Sequence, residues 1–220
     1  MSAAPAPLEP ALELFDEAAF QATVGASARQ MADMRVFREM LIDWNGRMNL
    51  VGPSALGEFW RRHALDSAQL RDLAPQARTW ADLGAGAGFP GLVLAILAKD
   101  KPGSHIHLVE SAAKRCRFLQ AVVDALALPA TVHHARAESL TLSVDVVTAR
   151  ACAPMVKLLG YAWPYLRVGA TGLFLKGPDV EVEVQAAAKY WKFDAKFIPS
   201  ISSPEGRIVQ LKGISRVKPG

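Results

Sequence analysis

"TWADLGAGAGFPGL", residues 79–92, decides the fold. An apolar run reaches Asp82 and Leu83. Gly84, Gly86 and Gly88 follow at alternate positions, and Phe89-Pro90 leads into "GLVLAILAKD". The pattern reads as strand, tight turn and helix. Glycines open backbone shapes closed to other residues and let a ligand approach the main chain. Pro90 suits a first helical turn, where its missing N–H costs nothing. In such a unit the ligand sits beyond the carboxyl end of the strand, beside the helix N-terminus.

The spacing departs from the dinucleotide fingerprint GxGxxG, because Phe89 stands where the third glycine belongs. No Lys-Ser or Lys-Thr follows, so the turn is not a phosphate-gripping P-loop. A carboxylate at Asp82 would repel a pyrophosphate. It can instead orient main chain or assist a cationic amino-acid group, directly or through water. Glu110 ends the next strand candidate, where an acid grips ribose hydroxyls. A nucleoside without phosphates, carrying an amino-acid tail and a positive charge, describes S-adenosylmethionine. A bare structural turn and a nicotinamide or flavin site are the competing readings. In "HARAESL" (134–140), Ala137 and Glu138 follow the third strand candidate, placed to line an adenine pocket.

Working outward, strands alternate with helices after Pro75. Strands are expected at 79–83, 105–110, 130–135, 144–149 and 172–176, and helices at 90–100, 112–126, 154–165 and 179–189. This βαβ series predicts a largely parallel sheet covered on both faces. "KFDAKFIPSI" and "GRIVQLK" flank the turn region "SSPEG" with no room for a helix, so they predict an antiparallel hairpin at the sheet edge. Upstream the texture is helical. One short helix is expected over Leu12–Phe20. A stronger one spans Ser27–Asn45, where Met34, Phe37, Leu41, Trp44 and Met48 fall three and four apart and Gly46 loosens the end. Pro53 marks a turn with Ser54 as cap, and helix resumes through "FWRRHALDSAQLRDL". The expected organisation is a helical region, 1–75, that contributes to the substrate site, and a cofactor-binding domain, 76–220.

The 220 residues suffice for a sizeable core, since 51% are hydrophobic. No apolar run is long enough to cross a bilayer, and "MSAAPAPLEP" lacks the make-up of a secretory signal. Two cysteines are too few for a disulfide scaffold. These features predict a cytoplasmic protein with reduced thiols. The net charge of +4 permits a polyanionic partner without demanding one.

The loop "TARACAPM" (148–155), after the fourth strand, is where an acceptor would approach. It holds no Asn/Asp-Pro-Pro-aromatic motif for amine methylation. Cys152 precedes Ala-Pro, and a buried thiol is the simpler reading than a nucleophile. Arg150 leaves an apolar strand at the same edge, suited to a carboxylate, a base edge or a phosphate. Lys176 ends "GLFLKG" facing the same cleft. Arg61, Arg62 and His63 form a basic cluster. With Arg29, Arg35, Arg38, Arg47, Lys114, Arg115 and Arg117 they would rim a phosphate-binding surface if the fold gathers them. His105, His107, His133 and His134 read as strand residues. No closed ligand set is evident, so no metal is expected.

Several stretches in order, "WNGRMNL" (44–50), "RHALDS" (62–67), "DLGAGAGFPG" (82–91), "LVESAAKRCRFL" (108–119), "RAESL" (136–140), "TARACAP" (148–154) and "LFLKG" (173–177), resemble the bacterial 16S ribosomal RNA guanine-N7 methyltransferases of the glucose-inhibited division protein B family. The resemblance runs from about residue 30 to the end. It implies the class I methyltransferase fold: a Rossmann-like, seven-stranded, mostly parallel sheet with a C-terminal hairpin and an N-terminal helical extension. It implies S-adenosylmethionine as cofactor and N7 of guanosine 527, in the 530 loop, as acceptor. The physical substrate would be 16S rRNA within the 30S subunit or a late precursor, met by a monomer. The family's cofactor residues fall on Gly84, Phe89, Glu110, Ala137, Glu138 and Arg150. Its substrate or activity residues fall on Asn45, Asn49, His63, Arg150 and Lys176. One departure is Val51, where the family often has threonine. Another RNA or small-molecule methyltransferase and a non-catalytic RNA-binding assembly factor remain as alternatives.

Overall fold

The computed structural model describes residues 15–52 and 56–217. The expected residues 12–14 of the first helix and the turn at Pro53 and Ser54 lie outside them. Helix α1 spans Glu17–Val24, later than expected, because Asp16 caps it by accepting from Ala19 N at 2.9 Å. Helix α2, Ala28–Met48, opens with a reciprocal capping box between Ser27 and Gln30. Gly46 does not end it. The helix runs on to Met48 and closes at Asn49, held left-handed at φ 51°. A π-helical run, Phe59–Leu65, continues into the short turns α3 (Asp66–Ala68) and α4 (Leu70–Leu73).

The sheet then follows the expected alternation: β1 Thr79–Leu83, α5 Gly91–Ala98, β2 His105–Glu110, α6 Ala113–Leu126, β3 Ala130–His134, β4 Val146–Arg150, α7 Met155–Leu166, β5 Thr171–Lys176, α8 Val180–Ala188, and the hairpin β6 Trp191–Pro199 with β7 Arg207–Arg216. Its seven strands run β3-β2-β1-β4-β5-β7-β6. The first five are parallel, and β7 enters antiparallel between β5 and β6. The order reverses between β1 and β4, which opens a crevice at their carboxyl ends. The exposed edge β6 carries Lys192, Asp194 and Lys196, charges that discourage further strand pairing.

Helix α5 is apolar all round, and every residue from Gly91 to Leu97 is buried. A helix of that kind needs cover on every side. It lies between β2 and helix α2, so the helical segment and one sheet face share a core. Two polar ties, the first buried and the second half-buried, fix this seam. Gln30 Nε2 donates to Leu97 O at 3.0 Å, and Lys99 pairs with Asp33 at 2.7 Å. Phe37, Phe59 and Phe89 join their rings across it, with Phe37–Phe89 centroids 5.3 Å apart. No described helix is long and apolar enough to cross a membrane.

Candidate functional site

The turn after β1 is tied down by the neighbouring strand: Gly84 N and Ala85 N both donate to Val109 O, at 2.8 and 3.1 Å. Gly84 has φ 69°, and a Cβ there would stand 2.9 Å from the Cys152 sulfur. Both facts require glycine. Asp82, fully buried under the turn, accepts from Gly91 N at 2.8 Å. A Cβ on Gly91 would come within 2.7 Å of that carboxylate oxygen. Asp82 therefore orients main chain here and does not reach the cleft surface. Its other oxygen is buried without a partner, and burial raises its pKa to about 7.

Glu110 ends β2 with only 5% exposure. One carboxylate oxygen accepts from Gly86 N at 3.0 Å and the other from Ala112 N at 2.8 Å. It thus binds the glycine turn to the start of α6. A carboxylate has about four acceptor positions, so two remain unused, and Glu110 stands behind the cleft walls, not on them.

The cleft over this turn has a volume of about 560 Å³, within the range of small-ligand sites. Its walls bring together Gly84, Gly86, Phe89, His63, Arg150 and Lys176 from the sequence reading. Gly88 is buried beside it at φ 91°. Ala137 and exposed Glu138 lie off these walls, in a single 3-10 turn after β3. Tyr165 holds that turn by donating its hydroxyl to Ala137 O at 3.1 Å. Asn45 and Asn49 also lie off the walls. Asn45 Oδ1 accepts from Val51 N at 2.9 Å, which places Leu50 and Val51 on the cleft instead. The missing threonine hydroxyl at position 51 is therefore missing from the wall itself.

One compact junction joins the helical segment to the sheet. Arg150, the last residue of β4 rather than beyond it, lies over the Phe89 ring at 4.8 Å. Its Nη1 donates to Arg62 O at 3.1 Å and faces His63 Nδ1 at 2.6 Å. Asp66 stands 4.0 Å away. His63 stacks on Phe89 with centroids 4.9 Å apart. Because Arg150 can only donate, His63 Nδ1 accepts, and its proton sits on Nε2. That nitrogen is buried without a partner. Burial first, then Arg150 and Arg62, lower the His63 pKa to about 4.

His63 is consequently neutral across the working range. Its folded pKa lies below the unfolded value near 6.5, so the unfolded chain binds the extra proton between about 4 and 6.5. Stability falls as pH drops through that window. We expect log(kcat/KM) to show no inflection from His63 between pH 6 and 8. A slope that disappears in His63→Phe would assign it proton chemistry.

Lys176 is only 9% exposed. It pairs with Glu183 of α8 at 2.6 Å and donates to Ala153 O at 3.1 Å. The same Glu183 oxygen accepts from Met155 N at 2.7 Å. Lys176 thus braces the loop after β4 as well as lining the cleft. Lys176→Ala is expected to reduce turnover about tenfold, with circular dichroism confirming the fold. Wild-type turnover would remove it from the site.

The anticipated basic rim assembles only in part. Arg62 and Arg115 line the cleft, and Arg61 reaches Ser202 O at 3.3 Å. Arg29, Arg35 and Arg47 are instead paired with Asp100, Glu17 and Asp43. Burial raises the pKa of both thiols, which keeps Cys116 and Cys152 protonated and poor nucleophiles. His107 and His133 face each other at 3.0 Å on the sheet. No group of three His, Cys, Asp or Glu residues among those described could hold a metal ion. The sequence reading missed Asp66, Gln69, Glu183 and Ser202. Only "RHALDS", which contains Asp66, carried any signal for them.

The residues suit S-adenosylmethionine: a bare turn that admits a ligand to main chain, a carboxylate fixed behind it, and no phosphate-gripping lysine. The fold is that of a solved S-adenosylmethionine-dependent methyltransferase from Aquifex aeolicus. That structure is 15% identical, with a TM-score of 0.51 over 79% of this chain and 96% of the other. The ribosomal RNA small subunit methyltransferase G of Caulobacter vibrioides is 60% identical over 205 residues, 93% of this chain and 95% of that protein. The protein of the same name from Parvibaculum lavamentivorans is 43% identical over 206 residues, 92% and 91% of the two chains. The family profile described as rRNA small subunit methyltransferase G matches residues 30–213, and the chain belongs to that GidB family.

Proposed function

We propose that this chain transfers a methyl group from S-adenosylmethionine to N7 of guanosine 527 in the 530 loop of 16S rRNA, acting as a monomer on the 30S subunit or a late precursor in the cytoplasm. The observation that carries the reading is the cleft. A glycine turn backed by Glu110 shares the cleft with Arg62, Arg115, Arg150 and Lys176. The helical region 1–75 serves the substrate side, and 76–220 hold the cofactor.

When bound, S-adenosylmethionine supplies an electrophilic methyl group on a sulfonium. Gly84, Gly86 and Phe89 would receive it, with Glu110 toward the ribose and Ala137–Glu138 toward the base. Guanine N7 has an in-plane lone pair and no proton, so no general base is needed. That agrees with a neutral, enclosed His63. What the protein must do is align the base and exclude water. Arg150 Nε and Nη2 make no hydrogen bond among the described residues. They are free to hold an anionic oxygen of cofactor or RNA.

A second set of measurements tests the class of reaction. Calorimetry should detect S-adenosylmethionine and no NAD. Association with 30S subunits should weaken steeply with salt, as phosphate contacts require. NAD binding, or 30S affinity indifferent to salt, would refute the reading.

A further inference from the structure

We propose that Ile201 is an RNA-contacting residue whose side chain packs on the face of an unstacked base next to the target guanosine. The inference rests on the RNA-methyltransferase reading above and goes beyond it by naming a recognition element outside the cofactor cleft.

Ile201 sits in the turn between β6 and β7 and is 60% exposed. A single exposed apolar side chain is ordinarily unremarkable on a protein surface. Val182 and Tyr190 are exposed to 68% and 60% on or just after α8, away from the cleft walls. What distinguishes Ile201 is how firmly its backbone is held. Its N–H donates to Gln69 Oε1 at 3.0 Å. On one side, Ser200 Oγ accepts from Gln69 Nε2 at 2.9 Å and donates to Asp66 Oδ1 at 3.2 Å. On the other, Ser202 Oγ donates to the same Asp66 oxygen at 2.7 Å, and Arg61 Nε reaches Ser202 O. Gln69 and Ser202 are buried at 6% and 4%. A partly buried polar network thus fixes three consecutive residues, the middle, apolar one exposed to solvent.

The surroundings identify the occupant. Ser202, Ser203, Glu205 and Gly206 line the cleft, so the turn is one of its walls. Cations stand around it: Arg61 on the helical side, with Arg62 beside it paired to Glu58 at 3.2 Å, and Arg207, which braces the turn through Pro204 O and Gly206 O at 2.8 Å. Positive charge for phosphates with an apolar knob between matches a nucleic-acid loop. N7 of a paired guanine lies in the deep groove of an A-form helix, closed to side chains. A base presented there must leave its stack, which bares the face of a neighbour. Ile201 would cover that face.

The test compares Ile201→Ser and Ile201→Leu with wild type. It uses equilibrium binding to unmethylated 30S subunits and to protein-free 16S rRNA, with methyl-transfer KM and S-adenosylmethionine affinity alongside. Ile201→Ser is expected to weaken both RNA-containing complexes about tenfold, the value of one buried aliphatic side chain. Cofactor affinity should stay unchanged, and Ile201→Leu should stay within threefold of wild type. Equal binding by Ile201→Ser and wild type overturns the proposal. So does a loss confined to the 30S subunit, which would assign the contact to a ribosomal protein. If wild type binds 30S but transfers no methyl group, the reaction fails while the binding comparison still decides Ile201.

Discussion

Replacing Glu110 with alanine is expected to raise the dissociation constant for S-adenosylmethionine about a hundredfold. Two charge-assisted hydrogen bonds at the lower end of their range, about 1.5 kcal/mol each, set the scale. The carboxylate does two jobs. It receives Gly86 N and Ala112 N, which shapes the glycine turn and the start of α6, and in the proposed complex it also receives the ribose hydroxyls. Glu110→Gln separates them. The amide keeps one oxygen for Gly86 N but brings an NH₂ group against Ala112 N, so it should bind with intermediate affinity. Calorimetry measures both variants. Unchanged affinity in Glu110→Ala would reject the sugar-binding role.

The second large effect is expected at Arg150. Arg150→Ala should lower kcat/KM for methyl transfer about a hundredfold or more, with the fold retained by circular dichroism. The residue is a junction as well as a ligand-facing cation. Its loss uncovers Phe89 and removes the donor to His63 Nδ1 and Arg62 O. It also leaves Asp66 without its neighbouring cation. Arg150→Lys tests what the guanidinium contributes. An ammonium supplies charge without the planar fork that spans His63 and the cleft, so it should recover only a small part of the activity. Full activity in Arg150→Ala would remove Arg150 from the site.

Local chemistry made much of this molecule readable. The strands Thr79–Leu83 and His105–Glu110 fall where the apolar runs place them, and the turn between Leu83 and Pro90 is marked by its glycines. Helix α2 runs through Gly46, where the sequence predicts its loosening end. One glycine costs a helix only about 1 kcal/mol, and Trp44 and Met48 pack against the core on either side of it. The hidden part of the site is long-range. Asp66 and Gln69 hold Ser200 and Ser202 more than 130 residues away. Glu183 reaches back 28 residues to Met155 N. Such pairs leave no period in the chain. The first arise when the hairpin closes onto the helical segment, the last when α8 packs on α7. The arginines of α2 show the reverse error: Arg29, Arg35 and Arg47 look like a nucleic-acid rim in sequence, but each sits beside an acid on the surface. Such pairs contribute little energy and leave less free charge for phosphates.

The most direct measurement is methyl transfer from labelled S-adenosylmethionine to 30S subunits that lack the modification, followed by mapping of the modified base. The account predicts one methyl group per subunit, on N7 of guanosine 527. A folded protein that binds S-adenosylmethionine yet leaves the 30S subunit unlabelled, or that labels another atom or another loop, would contradict it.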